Sequence, residues 1–226
     1  MLTLVLDALG RALTRDRCVV CDVSFDTGAC PDCRARLPWL EGGDDLEGVG
    51  PIAAAWRYDE PVSSAVRRLK YGDRPDLAAR LAALASPVLA PSAACSADCI
   101  VPVPLHPRRL AQRGFNQAML LALAFRAQVA ALQRTRVSPR ALCRRIDTEQ
   151  LVGMRRIERR LAVEEAFVVR RASEVARRRV VLVDDVVTTG ATVEACASAL
   201  RRAGASIVGV LALCRTVGIP TPGESV

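Results

Sequence analysis

The run Val180-Val181-Leu182-Val183-Asp184-Asp185, followed by Val186-Val187-Thr188-Thr189-Gly190-Ala191-Thr192, constrains the fold of this chain more than any other segment. Four consecutive apolar residues ending in two acids read as a strand buried on both faces, and such a strand belongs to a parallel sheet covered by helices on both sides. TVEACASALRRAGA (192–205) is an amphipathic helix closed by Gly204, and SIVGVLALC (206–214) is a second apolar strand. Strand, helix and strand in succession form a βαβ unit, with parallel strands and a right-handed crossover.

In open α/β sheets, ligands sit beyond the carboxyl ends of the strands. Here that position holds Asp184 and Asp185, then a loop that opens a helix. A helix N-terminus presents free N–H groups and a partial positive charge, which suit a phosphate. Gly190 lets the backbone approach closely, and the hydroxyls of Thr188, Thr189 and Thr192 can donate to phosphate oxygens. The two acids would repel that phosphate. They suit vicinal hydroxyls, or a Mg²⁺ ion, about one sugar's width away, so the segment describes a cradle for ribose 5-phosphate. The plainer reading, a buried strand with a capped helix, does not need two carboxylates and three threonines so close together. A Walker A loop is excluded: it needs Gly-Lys-Ser/Thr, and the one lysine, Lys70, lies in Leu69-Lys70-Tyr71.

Elsewhere strands are expected at 52–58, 99–104, 180–185 and 206–214. Helices are expected at 1–17, 60–72, 75–85, 115–132 and 192–205, with a mobile loop and short helix over 134–160. The polar, Gly-rich stretch EGGDDLEGVG (41–50) reads as a linker. The expected domains are therefore an N-terminal helix and cysteine module over 1–45 and an α/β domain over 46–220. No apolar run approaches the length of a membrane-spanning helix, so membrane insertion is not expected. The N-terminus lacks a basic leader, which points to the cytoplasm and to reduced thiols.

In a reducing compartment, paired cysteines point to metal before disulfide. Cys18-x₂-Cys21 and Cys30-x₂-Cys33 supply four thiolates from two knuckles, the donor set of a closed structural Zn²⁺ site. Redox C-x₂-C pairs belong at helix starts, and zinc is the favoured reading. A closed site serves folding or partner docking. Cys95, Cys99, Cys143, Cys196 and Cys214 read as small buried hydrophobes.

The net charge of +8 is unevenly placed. Residues 134–179 carry fourteen Arg against six acids, whereas residues 1–60 carry six Arg against eleven acids. A basic belt of this kind fits a polyanionic partner, either small-molecule phosphates or nucleic acid; the plainer reading is solvated helix faces. Aromatic residues are scarce, at 4%, and are not interleaved with the belt, which favours backbone contact over base stacking. Of 32 basic residues only Lys70 is lysine, which suits a compact phosphate-binding cation, the plainer reading being chance.

The 180–192 segment resembles the phosphoribosyl pyrophosphate (PRPP) motif of type I phosphoribosyltransferases. Together with VPVPLHPRRLAQRGFNQA (101–118) and the cysteine knuckle, it is similar to the ComF family of bacterial competence-associated proteins, over roughly residues 18–215. The resemblance implies a type I phosphoribosyltransferase-like parallel sheet flanked by helices, with a small four-cysteine zinc-knuckle module. It implies that Asp184 and Asp185 hold the ribose hydroxyls, and that Thr188, Thr189, Gly190, Ala191 and Thr192 cradle the 5-phosphate. It also implies that His106, Arg109, Arg113 and Gly114 face the pyrophosphate, and that Thr148, Gln150 and Arg159 belong to a flexible loop closing the site. The implied cofactors are structural Zn²⁺ and Mg²⁺ with PRPP. The implied partners are PRPP, single-stranded DNA and DNA-uptake proteins. The pattern E-R-x-x-N-V-x-x-A-F appears here over Glu158–Phe167 with Ala162 in place of the asparagine. Two functions follow: a phosphoribosyltransferase-family protein linked to DNA uptake or utilisation, or a single-stranded DNA-handling protein whose PRPP site is a sensor or a vestige.

Overall fold

Helix and strand assignments come from a computed structural model, which describes residues 17–26, 28–40, 42–146 and 166–216. Expectations for the N-terminal helix, for Thr148, Gln150 and Arg159, and for Ala162 lie outside the described residues.

Eight strands and six α-helices follow in chain order among the described residues. They are α1 (Pro31–Ala35), β1 (Asp44–Leu46), β2 (Gly50–Arg57), α2 (Val62–Tyr71), α3 (Asp76–Leu89), β3 (Cys99–Pro102) and α4 (Pro107–Arg113). Then come α5 (Gln117–Gln128), β4 (Arg136–Val137), β5 (Leu142–Arg144), β6 (Phe167–Val169), β7 (Arg179–Val187), α6 (Ala191–Arg202) and β8 (Ser206–Arg215). Six strands form one sheet in the order β1-β2-β8-β7-β3-β4, and β5 and β6 form a separate antiparallel ribbon. Only β1 runs antiparallel in the main sheet; every other neighbour pair is parallel.

The apolar run in β7 does what its composition requires. Val180 to Val183 are fully buried, with Val181 and Val183 in one core and Val180 and Leu182 in the other. Alternate side chains of a strand point to opposite faces, so one run of valines and leucine fills both layers. Each fully buried side chain of this size contributes roughly 1.5–3 kcal/mol relative to exposure. Residues of α2, α3, α5 and the knuckle share one core; residues of α6 and the β5–β6 ribbon share the other.

Several boundaries differ from expectation, each for a physical reason. β7 runs two residues beyond the acids, because β8 continues to pair with it as far as Val187 and Arg215. The stretch expected as a linker carries β1, which folds back on β2, so the boundary expected between 45 and 46 falls inside a strand. Turn-rich sequence is also hairpin sequence, and composition alone does not separate the two. The strand expected over 99–104 ends at Pro102, where the prolines stop the ladder. The helix expected over 115–132 becomes α5 and a 3₁₀ turn at Ala130–Leu132. Cys143 is half-buried and accepts from Arg170 Nε at 3.2 Å, unlike the other four cysteines outside the knuckle, which are buried.

The connections set up the site. From β7 the chain crosses through α6 to β8, toward β2; from β3 it crosses through α4 and α5 to β4, in the opposite direction. The crevice between β7 and β3 is therefore a topological switch point, the place where open α/β sheets bind ligands.

Candidate functional site

Asp184 and Asp185 stand at that switch point on neighbouring residues of β7, so their side chains face opposite ways. Asp185 is buried, 2% exposed, whereas Asp184 keeps part of its surface open. Asp184 Oδ1 accepts from the Asp185 amide at 2.8 Å. Burial first, and then the neighbouring Asp185 charge, push the Asp184 carboxyl well above the usual carboxylate range.

Asp185 is met from two sides. Lys70, in the last turn of α2, places Nζ 2.7 Å from Oδ2. This short ion pair is what compensates the buried Oδ2 among the described residues. Burial works against the Lys70 charge, but Asp185 and then Asp184 outweigh it and raise the ammonium above its ordinary range. On the other side Gln117 Nε2 donates to Asp185 Oδ1 at 3.4 Å, and Arg113 donates to Gln117 Oε1.

The segment Arg113-Gly114-Phe115-Asn116-Gln117 can be read residue by residue. Arg113 ends α4 and lies 5.1 Å from the centre of the Tyr71 ring. Gly114 takes a left-handed φ of 79°, which terminates α4 as glycine does at helix ends. Phe115 packs against the core. Asn116 caps α5 by accepting from the Ala118 amide at 2.9 Å, and it donates to Val103 O at 3.0 Å. Gln117 then reaches Asp185.

Gly190 precedes α6 with φ 92° and itself offers no side-chain cap. The Ala191 amide donates to Thr189 Oγ1 at 3.4 Å; free amides in the first turn of a helix are what a phosphate would require. Thr188 and Thr189 are exposed, Thr192 is half-buried, and Asp184, Thr188, Gly190 and Thr192 line one small hollow. Arg215 braces this loop, donating to Thr188 O at 2.7 Å and pairing with Asp44 at 3.2 Å.

A larger cleft of about 640 Å³ adjoins the acids, lined by Lys70, Tyr71, Asp73, Arg109, Arg113 and Phe115 among others. Gly114 also lines it. His106 lies at the N-cap of α4, where Nδ1 accepts from the Arg108 amide at 3.4 Å. The segment after β3, expected as a loop, therefore contains a two-turn helix whose capping residue is His106. Lys70, Gln117 and Arg215 were not among the expected site residues. For Lys70 the sequence signal was its being the one lysine among 32 basic residues; for Arg215, at a strand end, the sequence carries no signal.

The four knuckle cysteines converge, with all four sulfurs within 4.8 Å of one another. A tetrahedral zinc with bonds of about 2.3 Å spaces its sulfurs about 3.8 Å apart, and Cys21 Sγ lies 3.8 Å from Cys30 Sγ. The donor set thus fits a tetrahedral, thiolate-binding ion. Burial pushes the Cys18 thiol up, but the amides of Cys21, Cys30 and Val20 point at its sulfur and hold it at about 6. Cys30-x₂-Cys33 does sit at the start of the short helix α1, the position of redox pairs; convergence of all four sulfurs favours a metal site over a redox pair. The knuckle is docked on α2: Arg68 donates to Val19 O at 3.2 Å and to Val20 O, and Arg68 and Arg74 pair with Asp22 at 3.5 and 3.1 Å.

Residues 112–218 match the model of the phosphoribosyl transferase domain. DNA utilization protein YhgH of Escherichia coli is 33% identical over 217 residues, covering 88% of this chain and 90% of the relative. Its counterpart of Salmonella typhimurium is 34% identical over 211 residues, with the same shares. The chain belongs to the ComF family. Competence protein F of Haemophilus influenzae is 33% identical over 119 residues, 52% of this chain and 50% of that protein. The matched phosphoribosyl transferase domain begins in α4 and takes in α5, β7, α6 and β8, so it contains Asp184, Asp185, Gly190 and Gln117. Lys70 and the knuckle lie outside it. The ComF-family architecture here is a mostly parallel sheet flanked by helices, with a four-cysteine cluster at metal-binding distance. Among the described residues, no helix is long and apolar enough to cross a membrane.

Proposed function

We propose that this chain binds PRPP at the β7–α6 loop and serves DNA uptake or utilisation, a reading supported by relatives named DNA utilization protein and competence protein F. The observation that carries this reading is the pairing of two acids with a glycine-headed helix start: Asp184 and Asp185 lie beside the left-handed Gly190 that precedes α6. The α6 amides and the hydroxyls of Thr188, Thr189 and Thr192 take the 5-phosphate, with Ala191 contributing backbone only. Asp184 and Asp185 take the ribose hydroxyls. Arg109, Arg113 and the Gly114 backbone, with His106 at the head of α4, take the pyrophosphate. Bound Mg²⁺ would supply neutralisation of the diphosphate charge, with Asp184 and Asp185 as the nearby carboxylates.

Transfer from PRPP breaks the C1–O bond, its electron pair leaving on pyrophosphate, while a nucleophilic atom of the acceptor supplies the pair for the new bond to C1. The chain's contribution is then positioning and charge complementarity, since developing negative charge would lie toward the arginines and developing positive charge at the sugar toward the acids. Zn²⁺ fits the knuckle as a structural ion, because four thiolates leave no open position. Titration calorimetry with PRPP and Mg²⁺ tests the reading. The wild type should bind, and Asp184→Asn/Asp185→Asn should not; equal binding by both would refute it.

One observation favours a second reading, handling of single-stranded DNA. Arg140, Arg170 and Arg171 line a separate cleft of about 520 Å³ on the side of the β5–β6 ribbon. Within the basic belt of residues 134–179, Arg136 is tied to Glu174 at 3.3 Å, whereas Arg140 lines this cleft. Arg140→Glu should weaken binding of a single-stranded oligonucleotide and reduce its salt slope by about 0.7 for each phosphate no longer neutralised. An unchanged slope and affinity would exclude this cleft as the DNA site.

A further inference from the structure

Lys70 belongs to two places at once. Its ammonium pairs with Asp185, whose oxygens would hold the sugar, and it also lines the cleft where Arg109 and Arg113 gather positive charge. The only acid lining that cleft among the described residues is Asp73. The second oxygen of Asp185 leads to the same cleft through Gln117 and Arg113. Each oxygen of one buried carboxylate is thus connected to a cation that faces the anion-binding space.

We propose that Lys70 is a positioning residue that couples the two ends of the site. It holds Asp185 while the site is empty and turns to a diphosphate group in the cleft when the site fills. This rests on the reading of Asp184 to Thr192 as a ribose 5-phosphate site.

The argument is one of competing partners. Asp185 Oδ2 is buried, and among the described residues the Lys70 ammonium, 2.7 Å away, is all that compensates it in the empty site. A sugar hydroxyl or a divalent cation arriving at Oδ2 must displace that ammonium. Displaced into the half-buried rim without an anion, the ammonium would lose its partner. A diphosphate in the cleft provides one. The sugar therefore binds more tightly once the diphosphate has drawn Lys70 away, and by linkage the diphosphate binds more tightly once the sugar has released Lys70. Lysine suits this task because its charge is compact and its stem flexible; a guanidinium would be held by its planar fork. The stem leaves α2 next to Leu69, which is fully buried, so the pivot is fixed while the head can move.

Calorimetry on the full-length protein with Mg²⁺ tests this. The probes are pyrophosphate and the 1-deoxy analogue of ribofuranose 5-phosphate, which leaves the diphosphate its room. Saturating pyrophosphate should raise the affinity of the wild type for the sugar phosphate by at least about fivefold. In K70M the sugar phosphate alone should bind as tightly as to the wild type or more so, pyrophosphate should no longer improve it, and PRPP should bind more weakly. K70R, which restores the charge without the compact head, should recover part of the coupling. Independent binding of the two probes by the wild type would overturn the proposal without recourse to a variant, so a K70M chain that failed to fold would not shield it. Undiminished coupling in a folded K70M would overturn it as well. Failure of the wild type to bind either the sugar phosphate or PRPP would instead refute the ribose 5-phosphate reading, and Lys70's role with it.

Discussion

Replacing Gly190 by alanine should destabilise the protein and deform the loop that opens α6. The backbone there has φ 92°, a conformation that costs an L-residue about 1–2 kcal/mol. An alanine Cβ would also stand 2.6 Å from Leu46 Cδ2 and 3.2 Å from its Cδ1. Leu46 is half-buried on β1, so its side chain can turn, at a cost of about 0.5–1.5 kcal/mol for leaving a preferred rotamer. The reduced freedom of alanine in the unfolded chain returns about 0.4–1 kcal/mol. The net loss is about 1–3 kcal/mol, which at this chain length lowers the melting temperature by about 3–10 °C. Urea unfolding of the wild type, G190A, L46A and G190A/L46A separates the two contributions. Removing the Leu46 side chain should relieve the clash and leave the strain, so G190A should cost about 1 kcal/mol less in the L46A background. G190A melting with the wild type would refute the claim that this position requires glycine. An equal cost in both backgrounds would refute the clash with Leu46.

Purified under reducing conditions, the protein should contain one zinc per chain, and C18S/C33S should contain none; an inter-cysteine disulfide with no metal would contradict the knuckle assignment. Trp56 is fully buried and its indole N–H has no partner. W56A should therefore cost about 3–5 kcal/mol, while W56F, which removes the orphaned donor, should cost clearly less; equal losses would show that the N–H carries no penalty. Hydrogen bonds from Ser63 and Ser64, and then Arg67, hold Glu60 at about 2, below its ordinary 4.5. A depressed carboxyl stabilises the fold above its ordinary value, and that contribution is lost as pH falls from about 4.5 toward 2. E60Q should accordingly unfold with a shallower pH dependence across that window, and an unchanged dependence would refute the assignment.

The central architecture was legible because its signals are local. The valine run of β7, the acids that follow it and the glycine before α6 are neighbours in sequence, and strand and helix periodicities place them without tertiary information. The knuckle was legible for the same reason, since two C-x₂-C pairs fix the donor set. What was not legible depends on distance. Lys70 meets Asp185 across more than a hundred residues, and only the position of α2 over the sheet brings them together. Arg215 reaches Thr188 and Asp44 because β8 lies beside β7, a consequence of sheet order that no single segment carries. The linker reading of 41–50 missed β1 because three residues offer no periodicity to count, and that strand exists through its pairing with β2. The resemblance places His106 toward the pyrophosphate; its capping of α4 depends on a short helix that the prolines and arginines of 104–109 do not announce.

The most direct measurement is a crystal structure of the protein with PRPP and Mg²⁺ bound. The account predicts the 5-phosphate on the amides of the Gly190–Thr192 turn, the ribose hydroxyls at Asp184 and Asp185, and the diphosphate in the cleft beside Arg109 and Arg113. A PRPP molecule bound elsewhere, or a switch-point crevice that stays empty at saturating ligand, would contradict it.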